Sequence, residues 1–149
     1  PEPNSYQTTE NQVDTLMMWH VLEHIPDLES SIKAIYNSIK NKGSLVIAVP
    51  NIDSFDSKHY KECWAGFDVP RHLYHFNHES LINFIEKQGF IYNYRKPLIF
   101  DSFYVSILSE KNRNNPVGTV NGLTIGLISN FFALFSTNYS SSFYVFTKD

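Results

Sequence analysis

Two short, almost unbroken apolar runs separated by one helical period constrain this chain more than any other feature. From Asp14 the run Thr-Leu-Met-Met-Trp-His-Val-Leu is nearly all apolar, and Ser44-Leu-Val-Ile-Ala-Val-Pro50 is a second run, ended by proline. Both have strand length, and runs without alternation suit strands buried on both faces, as parallel strands are. Between them Pro26 blocks continuation and Asp27 caps a helix whose apolar positions, Leu28, Ile32, Ile35 and Ile39, recur at helical spacing. Gly43, after Lys40 and Lys42, is the expected helix stop. Strand, capped helix, glycine and strand make a βαβ unit with parallel strands and a right-handed crossover. The fold class is therefore α/β.

The rest of the chain extends this unit. Residues 1–12 are polar and read as a solvated lead-in, with structure starting near Val13. Residues 51–76 carry aromatics, histidines and charges without a period, and so long a loop in a compact domain is usually a binding surface or a lid. Asn77 or a neighbour caps a helix with Leu81, Ile82, Phe84 and Ile85 inward, stopped by Gly89. Strands are expected near 90–96 and, from its aromatic and β-branched content, 142–148. With 149 residues, 42% of them apolar, the chain buries one core and not two.

Charge and cysteine usage exclude several classes. Twelve Lys and Arg against fifteen Asp and Glu leave a formal charge of −3, which argues against nucleic-acid binding through a basic footprint. The single cysteine, Cys63, excludes an internal disulfide and a four-cysteine zinc site, and points to a reducing cytoplasm. The first residues lack the basic start and apolar core of a signal peptide, and the chain opens on Pro1, which reads as a piece of a longer polypeptide.

His20-Val-Leu-Glu-His24 spells H-x-x-E-H, the pattern of inverted zinc peptidases, in which both histidines lie one helical turn apart on one face. The preceding residues read as strand and Pro26 follows too closely for a helix, so no metal site is expected. Instead these residues occupy the carboxyl end of a parallel strand, where open α/β sheets bind ligands. His24 is a candidate base near neutral pH. The alternative is that Glu23 and His24 only cap the next helix or tie down the loop.

Trp64, Arg71, His72 and Tyr74 combine a planar cation with aromatic faces suited to an anionic or ring-bearing small molecule. The competing expectation is a lid pinned by its own aromatics. Residues 114–147 contain no charged side chain, and Gly118, Gly122 and Gly126 stand four apart, the small-x-x-x-small pattern of close helix packing. Asn121, Thr124, Ser129 and Asn130 interrupt the apolar stretch, which favours a helical insertion at about 98–136, packed on the sheet, over a membrane span. Peripheral membrane contact stays open.

Three stretches resemble class I S-adenosylmethionine-dependent methyltransferases, in particular the small-molecule branch similar to quinone-biosynthesis enzymes. Asp14-Thr-Leu-Met-Met-Trp-His-Val-Leu-Glu-His-Ile-Pro-Asp27 resembles the family's fourth strand and following loop; Lys42 to Asn51 resembles its glycine-led fifth strand. Trp64-Ala-Gly-Phe-Asp-Val-Pro-Arg-His-Leu-Tyr-His-Phe76, then a helix and Gly89-Phe90, resembles the approach to its sixth strand. The glycine-rich cofactor turn and the acidic ribose ligand of the family have no counterpart, since the glycines at 43, 66, 89, 118, 122 and 126 form no G-x-G. The resemblance thus implies the carboxyl-terminal portion of a partial Rossmann-like fold, a mixed sheet with helices on its faces, in which the last strand inserts antiparallel between the second and third. It implies S-adenosylmethionine as cofactor, touched by Trp19, His20 and Val21, and a small-molecule acceptor. It also implies a missing amino-terminal half, and with it an open sheet edge that invites self-association. The rival of another class is a non-catalytic binding or assembly module.

Overall fold

The computed structural model describes residues 12–149. The solvated lead-in expected over residues 1–12 lies, but for Gln12, outside them. Four strands, β1 (Val13–Trp19), β2 (Ile39–Pro50), β3 (Phe90–Pro97) and β4 (Ser141–Lys148), form one sheet in the order β1-β2-β4-β3. β1 and β2 are parallel, and β4 runs antiparallel to both β2 and β3. The α/β class and the antiparallel insertion of the last strand are as expected from the sequence.

Helix α1 (Leu28–Ser38) starts where its cap is: Asp27 accepts a hydrogen bond from the Ser30 amide at 3.1 Å. It buries Leu28 and Ile32 against Leu45, Ile47 and Val49 of β2, and α3 (His78–Lys87) adds Leu81 and Ile85 to the same core. Asn77 and Ser80 form a reciprocal capping box at the start of α3, and Gly89 ends it with φ +97°.

The expected end of α1 is corrected. Ile39 belongs to β2, pairing with Val13, and Gly43 lies inside the strand where the register slips before Thr15 meets Ser44. A Cβ at Gly43 would stand 2.6 Å from Ile39 Cγ2 and 2.9 Å from the Asp14 carbonyl oxygen, so this glycine serves close backbone approach rather than a helix stop. A buried lysine sets the helix end: Lys148 Nζ donates to the carbonyls of Tyr36 and Ile39, both at 2.8 Å. A cation on terminal carbonyls satisfies groups that the helix leaves open.

The segment 51–76 is also more structured than its lack of period suggests. It holds α2 (Phe55–Tyr60) and two 3-10 turns, 61–63 and 65–67. The segment expected as a helical insertion at about 98–136 is a helical hairpin, α4 (Asp101–Asn112) and α5 (Gly118–Ser136). Its two helices pack chiefly on each other and on α2, rather than flat on the sheet. Gly122 and Gly126 allow this: a Cβ at Gly122 would lie 2.6 Å from Ile107 Cα, and one at Gly126 2.8 Å from Phe103 Cα. By length and composition α5 is apolar enough to cross a membrane, but its glycine face is committed to α4 while Val120, Leu127, Leu134 and Phe135 stay exposed.

His78, the first residue of α3, supplies a pH-dependent joint. Its Nε2–H donates to the Thr137 carbonyl at 3.2 Å and its Nδ1 accepts from the Tyr144 hydroxyl, an arrangement that requires the neutral ring. Burial, then the Arg95 charge, push its pKa down to about 4, against smaller opposing effects of the Thr137 bond and Asp53. The unfolded chain therefore binds a proton that the folded chain refuses between about 6.5 and 4. Stability from this site is complete above the unfolded value and falls as pH drops through that window. Urea unfolding at pH 7 and 4.5 is expected to show a smaller loss in His78→Asn than in the parent; equal losses would remove His78 as the cause.

Candidate functional site

A cavity of about 720 Å³ opens at the carboxyl ends of the parallel pair, with Trp19 and His20 from the end of β1 and Pro50 from the end of β2 in its wall. Loop residues Glu62, Trp64, Gly66, Asp68, Arg71 and His72 enclose one side, and Asp101, Tyr104 and Leu108 of α4 the other. Carboxyl ends of parallel strands leave side chains and loop amides unpaired around a crevice, which is why ligands settle there in open α/β sheets.

The chain leaves β1 through His20, whose φ of +49° is unusual for a residue with a side chain. That turn places the imidazole between two carboxylates: Nδ1–H donates to Glu23 Oε1 at 3.3 Å and Nε2–H to Asp101 Oδ2 at 3.1 Å. Burial by itself would lower its pKa, but the bonds and charges of Asp101 and Glu23 outweigh it and push the value up to about 9. His20 is thus an imidazolium at neutral pH, a fixed positive charge at the strand end.

Trp64 is 1% exposed and shows one edge to the cavity. Its Nε1–H donates to Asp56 Oδ2 at 2.8 Å, and Gly66 lies so close that a Cβ would fall 2.5 Å from the indole. The loop is fastened further by its own histidines, since His72 Nδ1–H donates to the Gly66 carbonyl at 2.8 Å and His75 Nε2–H to that of Phe67 at 2.9 Å. The pinned lid and the cavity wall are therefore the same residues. Arg71 projects from this lid, its side chain 76% exposed, paired with Asp68 at 2.6 Å.

Three candidates lie elsewhere. Tyr74 donates its hydroxyl to the Pro26 carbonyl at 3.0 Å and borders a separate groove with Leu28 and Phe84. Val21 is exposed beyond the strand end and absent from the cavity wall. His24 is also outside that wall: its Nδ1–H donates to the Arg71 carbonyl at 3.0 Å and its ring stands edge-on to His72, with centroids 4.6 Å apart. The strand expected near 14–21 is present as β1 but ends at Trp19, with a 3-10 turn at 22–24, so His20 and His24 share no helical face. Glu23, His24 and His72 nevertheless converge.

Asp101 and Asp56 were not legible as site residues. Asp101 reaches His20 across 81 positions, and Asp56 reaches Ser129 and Ser140 across 73 and 84. The only local signal at Asp101 is an acid in the first turn of a helix, which elsewhere merely complements the dipole.

The model of a methyltransferase domain family matches residues 2–92, more than half of the chain. Among curated proteins none matches. Solved structures share the fold at low identity. A phosphoethanolamine N-methyltransferase from Haemonchus contortus in complex with S-adenosyl-L-methionine is 19% identical with a TM-score of 0.55, covering 96% of this chain and 35% of that one. An S-adenosylmethionine-dependent methyltransferase from Thermotoga maritima is 13% identical with a TM-score of 0.62, covering 96% and 59%. A cyclopropane synthase from Mycobacterium tuberculosis is 13% identical with a TM-score of 0.53, covering 94% and 57%. The chain thus spans about a third to three-fifths of the length of these structures. By its sheet order and its family match, the chain belongs to the methyltransferase domain family.

Proposed function

We propose that the protein containing this chain transfers a methyl group from S-adenosylmethionine to a small-molecule acceptor. The observation that carries this is the cavity at the carboxyl ends of the parallel strands, in a chain of the methyltransferase domain family. The described residues suit one side of such a cofactor: Trp19 and His20 offer an aromatic face and a hydrogen-bonded charge at the strand end, with Val21 beside them. In this reading the chain is the strand-four-onward portion of the domain. The edge of β1, unpaired among the described residues and with Met17 and Trp19 exposed, receives the remainder or a second copy.

Bound S-adenosylmethionine supplies an activated methyl group for in-line displacement, in which positive charge disperses. The protein's part is alignment and exclusion of water. Trp64 and the α4 side chains Tyr104 and Leu108 give the acceptor an apolar wall, while Arg71 and His72 face its polar end. Tyr74 and His24 point away from this space, which leaves the proton of a protic acceptor without an assigned base. Calorimetric titration of the complete polypeptide with S-adenosylhomocysteine tests the function, and absence of binding would favour the non-catalytic module.

Arg71 separates the two halves of the site. In the complete enzyme Arg71→Ala is expected to raise the acceptor KM by about tenfold, the value of one charged hydrogen bond, with cofactor affinity unchanged. Equal weakening of both ligands would make the loop a structural strut.

A further inference from the structure

We propose that Glu23, His24 and His72 form a binding site for a zinc-class divalent cation that clips the lid loop to the strand-end turn. One ligand atom from each of the three lies within 4.8 Å of the others. Side-chain torsions need draw them in only modestly, because bonds of about 2.0–2.2 Å place tetrahedral donors about 3.3 Å apart.

Two independent features point to a cation here. Glu23 is 1% exposed, and although its Oε1 takes the His20 Nδ1–H, its Oε2 has no hydrogen-bond partner. A buried carboxylate oxygen without a donor is costly, and a bound cation removes that cost. The second feature is tautomeric. His24 and His72 each give their Nδ1–H to a backbone carbonyl, of Arg71 and Gly66 respectively, which leaves Nε2 of each as the bare nitrogen. Carbonyls holding one ring nitrogen while the other faces a metal are the usual outer support of histidine ligands. His72 Nε2 already stands 3.8 Å from Glu23 Oε1.

Two imidazoles and a carboxylate suit zinc or cobalt(II) over magnesium or calcium, which prefer oxygen donors alone. The H-x-x-E-H string thus contributes ligands in a different pairing from the one its spacing suggests. His20 has spent both ring nitrogens on carboxylates, and the second histidine comes from the lid, whose Leu73 amide also donates to the Glu23 carbonyl at 2.8 Å.

The test uses the chelator-stripped chain without a histidine tag. Titration with zinc chloride is expected to show one ion per chain, and cobalt(II) chloride to give visible d–d absorption displaced by zinc. His24→Ala and His72→Ala should each weaken zinc binding at least about tenfold, while His59→Ala, on α2 and outside the cluster, leaves it unchanged. Circular dichroism identifies folded variants; should one of the pair fail to fold, the other decides, with Glu23→Gln as a third. Absence of zinc binding, or affinity unchanged in His24→Ala and His72→Ala, would overturn the site.

Discussion

Asp56→Ala is expected to lower the unfolding free energy by about 3 kcal/mol, from the loss of three buried hydrogen bonds at about 1 kcal/mol each. The Asp56 side chain has no exposure, and all three bonds end on its carboxylate. Oδ2 accepts from Trp64 Nε1 at 2.8 Å and from Ser140 Oγ at 2.7 Å, while Oδ1 accepts from Ser129 Oγ at 2.7 Å. One side chain therefore joins the lid, helix α5 and the approach to β4. Removing it strands an indole N–H and two hydroxyls in the interior. Asp56→Asn keeps one acceptor but turns an amide donor toward a donor, so an intermediate loss is expected. Urea unfolding of both variants measures this, and Trp64 fluorescence in the folded state reports whether the lid loosens. A loss well under 1 kcal/mol in Asp56→Ala would mean that the three donors find other partners.

His20→Ala should carry the largest functional effect. In the complete enzyme kcat/KM is expected to fall about 100-fold, equivalent to about 2.7 kcal/mol, with most of the loss in cofactor affinity. The imidazolium bridges Asp101 and Glu23. Without it Glu23, already lacking a partner on one oxygen, keeps neither oxygen bonded, and Asp101 loses the contact that holds α4 against the strand end. The wall loses its one cation of this cluster, leaving the Glu23 and Asp101 carboxylates without a positive charge between them. His20→Gln retains hydrogen bonding but not charge, so comparison of the two variants separates geometry from electrostatics. Steady-state kinetics with calorimetry against S-adenosylhomocysteine measures both quantities, and a change within about threefold in His20→Ala would place the cofactor elsewhere.

Much of the scaffold was legible because its signals are local. Continuous apolar runs around Met17 and Val46 mark both strands, but burial on both faces holds for β2 alone, since edge strand β1 leaves Met17 and Trp19 exposed and buries only Met18. Asp27 and Asn77 mark helix starts because their side chains bond amides three residues on. The end of α1 was not legible in the same way. Ile39 continues the helical period, yet its pairing with Val13 and the Lys148 ammonium on the Tyr36 and Ile39 carbonyls draw it into the strand. Both partners are distant in sequence, so tertiary bonds override a good local period. The glycine spacing in α5 pointed correctly to close helix packing, but not to its partner, Ile107 and Phe103 of α4.

The sequence by itself determined the α/β class, the two parallel strands, the helix caps and the place of His20 at the carboxyl end of a parallel strand, since these depend on neighbours within a few residues. The tertiary structure alone decided which of the polar groups cooperate. It set His20 between Glu23 and Asp101, turned His24 away from the cavity toward His72, and buried Asp56 beneath Trp64. The physical reason is the reach of the interactions: a cap or an apolar period is complete within one turn, whereas the charge of His20 depends on a helix that returns 81 residues later.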